Sequence, residues 1–311
     1  MNKIFYSFLI FSIAFLILNF FLIVKFPVNN FTDLIVISSL PPAGILLLLS
    51  KYSKKIIIIP ALVVVFSILV IGLIYGRRSV IISATLFILF SYFINVIFNK
   101  RVRNSLKIVS LVIIATLSFY TINYFINTVD RSKFAIFDRA DEDSRSYVLN
   151  AFNKDFKFND YIIGRGIDGA YYNPIKYWNF DNKESKKVSY RTNIENGFLY
   201  IILKGGIFWL FLFLIIMFKA IYLGFFKTKN LFTKALVCYL LIYFIEMLAY
   251  GQPTFSIKYF LVWICISLCS SRRFRNINEK QLVSLINRNK FVKFKKNQQT
   301  EDVNYESISD L

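Results

Sequence analysis

Apolar residues in this chain run together instead of recurring at the helical or strand period, and the runs are about as long as a bilayer core requires, roughly 20 residues each. They cover residues 4–24, 31–50, 56–75, 79–98, 107–126, 198–218, 231–250 and 255–271. The pattern predicts an all-α polytopic membrane protein of about eight transmembrane helices by hydropathy. Residues 1–126 carry spans one to five and residues 198–271 carry spans six to eight. Between them, residues 127–197 form one large polar loop, and residues 272–311 form a tail. The first run follows Asn2 and Lys3, is too long for a signal-peptide core and precedes no small-residue cleavage site, so it reads as an uncleaved span. Pro41 and Pro42 are expected to break or kink the second.

Charge adds an orientation. Lys51, Lys54 and Lys55 follow the second span, and Lys100, Arg101, Arg103 and Lys107 follow the fourth. Lys219, Lys227, Lys229 and Lys234 follow the sixth, and Arg272, Arg273 and Arg275 the eighth. Basic loops recurring after alternate spans mark the cytoplasmic side. Both termini are then expected on the cytoplasmic side, with the large loop facing outward, to the periplasm or cell exterior. The formal charge of +20 on 311 residues, with 56% hydrophobic residues and a mean hydropathy of +0.54, therefore reflects membrane orientation and not nucleic-acid binding. The basic stretch 272–296 reads as a patch on anionic lipid, with Leu282, Leu285 and Ile286 on the apolar face of a short surface helix. Histidine is absent, which removes the commonest general base and metal ligand. Cys238, Cys265 and Cys269 all fall inside apolar runs, so packing is favoured over metal binding or disulfides. No phosphate-binding glycine loop is present, and no cofactor or metal is expected.

Chemistry is expected to gather in the loop. A helix is predicted from near Asp141 or Asp143, with Arg145 on its first turn and Val148, Ala151, Phe152 and Phe156 as its apolar stripe. Gly164-Arg165-Gly166 offers a sharp turn or a close approach to a ligand, with Arg165 presenting its planar fork to an anion. Arg191 and Glu195-Asn196-Gly197 precede the sixth span, where a carboxylate and an amide can accept a proton and orient a hydroxyl; helix capping is the other reading of Asn196. On the same side the short turn Gly76-Arg77-Arg78-Ser79 places two arginines where positive charge is disfavoured, either for function or snorkelling to lipid phosphate. Glu246 is the one clear carboxylate in mid-span, either paired with an arginine facing the outer cavity or buried and neutral.

The order of these pieces resembles the O-antigen ligase and Wzy-type polymerase superfamily of bacterial surface-glycan assembly. The likeness covers Tyr75 to about Ile216: Gly76-Arg77-Arg78-Ser79 opens a span, Asp143-Ser144-Arg145 and Gly164-Arg165-Gly166 lie in the loop, and Glu195-Asn196-Gly197-Phe198-Leu199 leads to Gly205-Gly206. Glu195 stands where the family carries histidine, and the family has several more spans. The resemblance implies a metal-independent glycosyltransferase that polymerises undecaprenyl-diphosphate-linked oligosaccharide, with an O-antigen ligase or protein oligosaccharyltransferase as the alternative. A flippase or other transporter is the reading from a different class. Arg78, Arg145 and Glu195 would be catalytic, and Arg77, Gly164, Arg165, Gly166, Arg191 and Asn196 would bind substrate. Implied partners are the lipid-linked sugar, membrane lipids, and a chain-length regulator and flippase of the same pathway.

Overall fold

The computed structural model describes residues 2–25, 29–74, 78–97, 144–173, 177–178, 185–186, 190–194, 196–250 and 256–287. Eleven α-helices in these residues are α1 (Asn2–Lys25), α2 (Asn29–Leu48), α3 (Lys55–Ile74), α4 (Arg78–Tyr92), α5 (Ser144–Asp155), α6 (Phe158–Ile163), α7 (Gly197–Phe226), α8 (Leu231–Tyr250), α9 (Ile257–Ser270), α10 (Arg272–Asn276) and α11 (Glu279–Asn287). Two short antiparallel ribbons join them: β1 (Tyr171–Tyr172) with β4 (Tyr190–Arg191), and β2 (Tyr177–Trp178) with β3 (Ser185–Lys186). The fifth predicted span, the Gly76-Arg77 part of the turn before α4 and the tail beyond residue 287 lie outside the described residues.

Among the described residues, four helices are long and apolar enough to cross a membrane: residues 55–73, 79–96, 197–226 and 231–248. Residues 3–18, 38–48 and 257–270 form shorter apolar helices. The protein is therefore a helical, membrane-embedded one. Its core lies around α8, the most buried of the four, where Leu236, Leu240, Tyr243 and Met247 pack against Ile57, Val65, Met217 and Val262 in one cluster. Outward faces of α3 and α7 keep Ile59, Phe66, Phe208 and Phe211 exposed, as a lipid-facing surface requires. The expected break at Pro41 and Pro42 is not made, and α2 runs through both.

The sixth predicted span is not one straight rod. Gly206 leaves the helical region at φ 73°, ψ −177° and divides α7 into two arms. A straight helix would carry Phe198 and Phe218 about 30 Å apart. Both rings instead lie 5.4 Å from the ring of Phe244 on α8, so the arms fold toward each other. The first arm is covered on two sides. Phe198 and Ile201 pack on the bundle core. Leu199, Tyr200, Ile202 and Leu203 pack on a second core made by Phe152, Phe156, Tyr171 and Ile194 of the loop. Between these two pieces of protein Leu203 is fully buried and residues 198–202 are half-buried, and their apolar run is why hydropathy merges the arm with the span.

Three of the basic loops meet at the opposite end. Glu279 accepts from Lys51 Nζ at 2.6 Å, from the Tyr52 hydroxyl at 2.7 Å and from the Leu231 amide at 3.0 Å. The Asn230 side-chain amide donates to the carbonyls of Phe274, Arg275 and Ile277 at 3.1, 3.4 and 3.2 Å. The segments after α2, α7 and α9 are thus tied into one layer, as the alternation of basic loops anticipates. In α11, Leu282 is buried against this layer while Leu285 stays exposed.

Candidate functional site

The loop helix expected from Asp141 or Asp143 is α5, whose first described residue is Ser144; both aspartates lie outside the described residues. Its stripe turns inward as the spacing demands. Phe152 is fully buried, stacks on Phe156 at 4.1 Å and meets the edge of Tyr171 at 5.5 Å. Arg145 is the second residue of α5 and Arg78 the first of α4. The side chains of both, together with Arg77 and Glu195 as whole residues, lie outside what is described.

Arg165 does not offer its fork to an anion. Its Nε donates to Asp160 Oδ2 at 3.1 Å. Nη1 donates to Asp155 Oδ2 at 2.5 Å and to the Ala170 carbonyl at 2.7 Å. Nη2 donates to the Asp155 carbonyl at 2.6 Å and to Asp160 Oδ2 at 2.8 Å. Every one of its N–H directions is taken within the loop, and the guanidinium carbon lies 4.5 Å from the Phe156 ring centre. The hydrogen bond from Arg165, followed by that from the Lys157 amide, holds the Asp160 carboxyl below the usual carboxylate range. The physical reason for the correction is that two carboxylates, from the end of α5 and from α6, converge on the same planar cation.

Of the two glycines flanking Arg165, Gly164 serves a close approach, but to protein, whereas Gly166 has open space around it and is set apart by its φ of 79°. Gly164 sits at φ 80°, and a Cβ there would come within 2.6 Å of the Gly205 and Gly206 amides. A Cβ on Gly206 would run into the Ile162 carbonyl oxygen. Breaking a helix frees the carbonyls of the preceding turn. Here the Arg165 amide takes the Leu203 carbonyl at 2.8 Å and the Gly166 amide takes that of Lys204 at 3.0 Å. Lys204 Nζ closes the joint from the other side, donating to the carbonyls of Ile167 at 2.6 Å and Gly169 at 2.9 Å. Two motifs about forty residues apart in the chain (Gly164–Gly166 and Gly205–Gly206) are one interlock.

Asn196 is the N-cap of α7. Its Oδ1 accepts from the Phe198 and Leu199 amides at 3.0 and 3.1 Å, and its Nδ2 donates to the Leu248 carbonyl on α8 at 3.1 Å. The capping reading of Asn196 is the one the geometry uses. Arg191 is held half-buried in β4 opposite Tyr171. Of the named site residues, the structure therefore brings Gly164, Arg165 and Gly166 to the break in α7, and Arg191 and Asn196 to the end of the loop that feeds it. Sequence reasoning did not single out Asp155, Asp160 or Lys204 for a role. The signal for Asp160 was present: it lies three residues after Lys157 at a helix start, and its Oδ2 accepts from the Lys157 amide at 3.1 Å.

Glu246 is buried and forms an ion pair with Lys258 across α8 and α9. Lys258 also lies 5.5 Å from the centre of the Tyr243 ring. Cys265 and Cys269 are buried in α9, with Cys269 Sγ 3.9 Å from the Thr233 carbonyl oxygen. Compared with known proteins, the chain matches no family model, no curated protein and no solved structure.

Proposed function

We propose that the chain is a glycosyltransferase of the bacterial inner membrane, both termini cytoplasmic, that polymerises lipid-diphosphate-linked oligosaccharide into surface polysaccharide. The observation that carries the reading is the interlock. The third and fourth motifs of the resemblance, Gly164-Arg165-Gly166 and the Gly205-Gly206 pair, dock on each other. Two of the four motifs thus form one joint, and Glu195 directly precedes the N-cap residue of the docked arm in the sequence. In this reading the interlock is scaffold, and Arg78, Arg145 and Glu195 do the chemistry, with Arg77 and Arg191 adding positive charge for the substrate.

The reaction asks little of the protein beyond charge and placement. An acceptor hydroxyl oxygen attacks the anomeric carbon of the donor while the bond from that carbon to the lipid diphosphate breaks. The diphosphate leaves with the electron pair, and the hydroxyl proton passes to Glu195. Arginine suits the leaving group because its planar fork binds phosphate oxygens bidentately and stays charged when partly desolvated. One-step displacement inverts the anomeric centre. Glu246 is paired with Lys258, so this carboxylate does not stand as an unpaired mid-span charge for a transporter reading.

Complementation of a deletion strain, with glycan chain length read on a gel, tests the reading. Arg78→Ala, Arg145→Ala and Glu195→Gln should each abolish the ladder at normal protein levels, and Glu195→His should keep part of it. A full ladder from all three would refute the assignment. Single repeat units accumulating on the lipid carrier identify a polymerase, long lipid-linked chains that are not handed on a ligase, and loss of repeat units from the outer face a flippase.

A further inference from the structure

The break in α7 also locates the protein against the bilayer. After Gly206, residues 207–226 run about 30 Å at 1.5 Å per residue, the thickness of a bilayer core, with the exposed Lys219 about two turns from the far end, where a lysine can snorkel to the interface. Exposed Phe208, Trp209 and Phe211 begin the lipid-facing surface of this arm immediately beyond the break. Lys204 before the break and Trp209 after it are the residue types that flank a membrane boundary. The first arm is held between two pieces of protein, the bundle core and the core of the loop.

Helix α6 and the turn after it are docked at this same level, since the backbone of residues 162–166 packs directly on residues 203–206. Their polar groups are turned to one another: Asp155, Asp160, Arg165 and Lys204 satisfy themselves inside the joint. Their apolar side chains are not covered. Phe158 is 78% exposed, Ile163 72% and Ile167 90%, with Ile162 at 43%. Four large apolar side chains within ten residues, unshielded beside the start of a lipid-facing helix, are costly in water.

We propose that α6 and the turn 164–167 form a foot of the loop that sits in the interfacial layer of the bilayer, with Phe158, Ile163 and Ile167 among the lipid chains. The occupant is lipid because the patch rides on backbone docked against residues 203–206, directly before the exposed Phe208, Trp209 and Phe211 of α7, and the exposed Lys157 and Asp168 at its edges are charges that suit the headgroup level. The proposal is independent of the glycosyltransferase reading and needs only that α7 is in the membrane. Its consequence is that the loop is held at a fixed depth, tethered both by the spans and by its own apolar foot.

The test uses the full chain in vesicles of phosphatidylethanolamine and phosphatidylglycerol, with a nitroxide on Phe158→Cys, Ile163→Cys or Ile167→Cys and a control on Lys154→Cys. All four sites are exposed, so labelling leaves the packing intact, and the native cysteines are buried. Collisions with dissolved oxygen should exceed those with a water-soluble nickel complex several-fold at 158, 163 and 167, and the ratio should invert at 154. Nickel collisions dominating at the three sites would place the patch in water and overturn the proposal. Loss of both kinds of collision would show protein covering it and overturn it equally.

Discussion

At the scale of single residues, Arg165 changes meaning between sequence and structure. An arginine between two glycines reads as an anion binder, because the glycines admit a ligand and the fork matches phosphate. Its actual partners lie five and ten residues back in the chain and at the Ala170 carbonyl, a convergence that only the fold of α5 onto α6 creates. Arg165→Ala is therefore expected to destabilise the loop by about 2 kcal/mol, the scale of a charge-assisted network left unpaired. Limited proteolysis of membranes should show faster cleavage within residues 144–194, whereas Arg78→Ala should leave the cleavage pattern unchanged. The same network predicts a sign for pH. Asp160 has its folded pKa depressed, by the Arg165 hydrogen bond first. Its contribution is complete above the ordinary carboxylate value of about 4 and is lost as pH falls through the lower folded value. The proteolysis rate should rise on that acid limb, and Asp160→Asn should flatten the rise. At the other end of the molecule, burial pushes the Tyr52 phenol up, and its bond to Glu279 adds to this, so Tyr52 stays a donor across the physiological range.

At the scale of elements, the loop helix and its stripe were legible because Val148, Phe152 and Phe156 recur at the helical period, and a buried stripe has to find a partner. The two arms of α7 were not. Hydropathy counts apolar residues and carries no sign of a break in the backbone at Gly206, so residues 198–218 were read as one continuous span. The glycine pair was visible, but the positive φ of Gly206 depends on Ile162 and Gly164 arriving from forty residues away. Gly206→Ala would force a side chain into a region that L residues avoid, at about 1–2 kcal/mol, besides meeting the Ile162 carbonyl. Gly164→Ala meets backbone from the opposite side. Each variant should give the proteolytic sensitivity of Arg165→Ala. Because both break the same joint, the double variant should be scarcely worse than either single one.

At the scale of the whole molecule, the helical membrane bundle was read from apolar run length, and the layer around Glu279 fits the alternation of basic loops. Lys258 was the missed piece: it lies in the first turn of an apolar run, and the partner sought for Glu246 was an arginine. Removing one member of this buried pair, by Glu246→Gln or Lys258→Met, should cost about 3–5 kcal/mol, while Glu246→Leu with Lys258→Met should recover most of the loss. Thermal unfolding in detergent measures both. The antiparallel pair β1–β4 and the glycine joint have a consequence for how such a protein can diversify. Tyr171 opposite Arg191 and Tyr172 opposite Tyr190 pinch the chain shut at the base of residues 173–189. A segment whose ends are already held together can change length cheaply, since doubling a closed loop costs only about 0.6 kcal/mol of closure entropy. Insertions and wholesale exchanges there leave the joint, the caps and the spans untouched, so this segment can vary in length and sequence on an unchanged chassis.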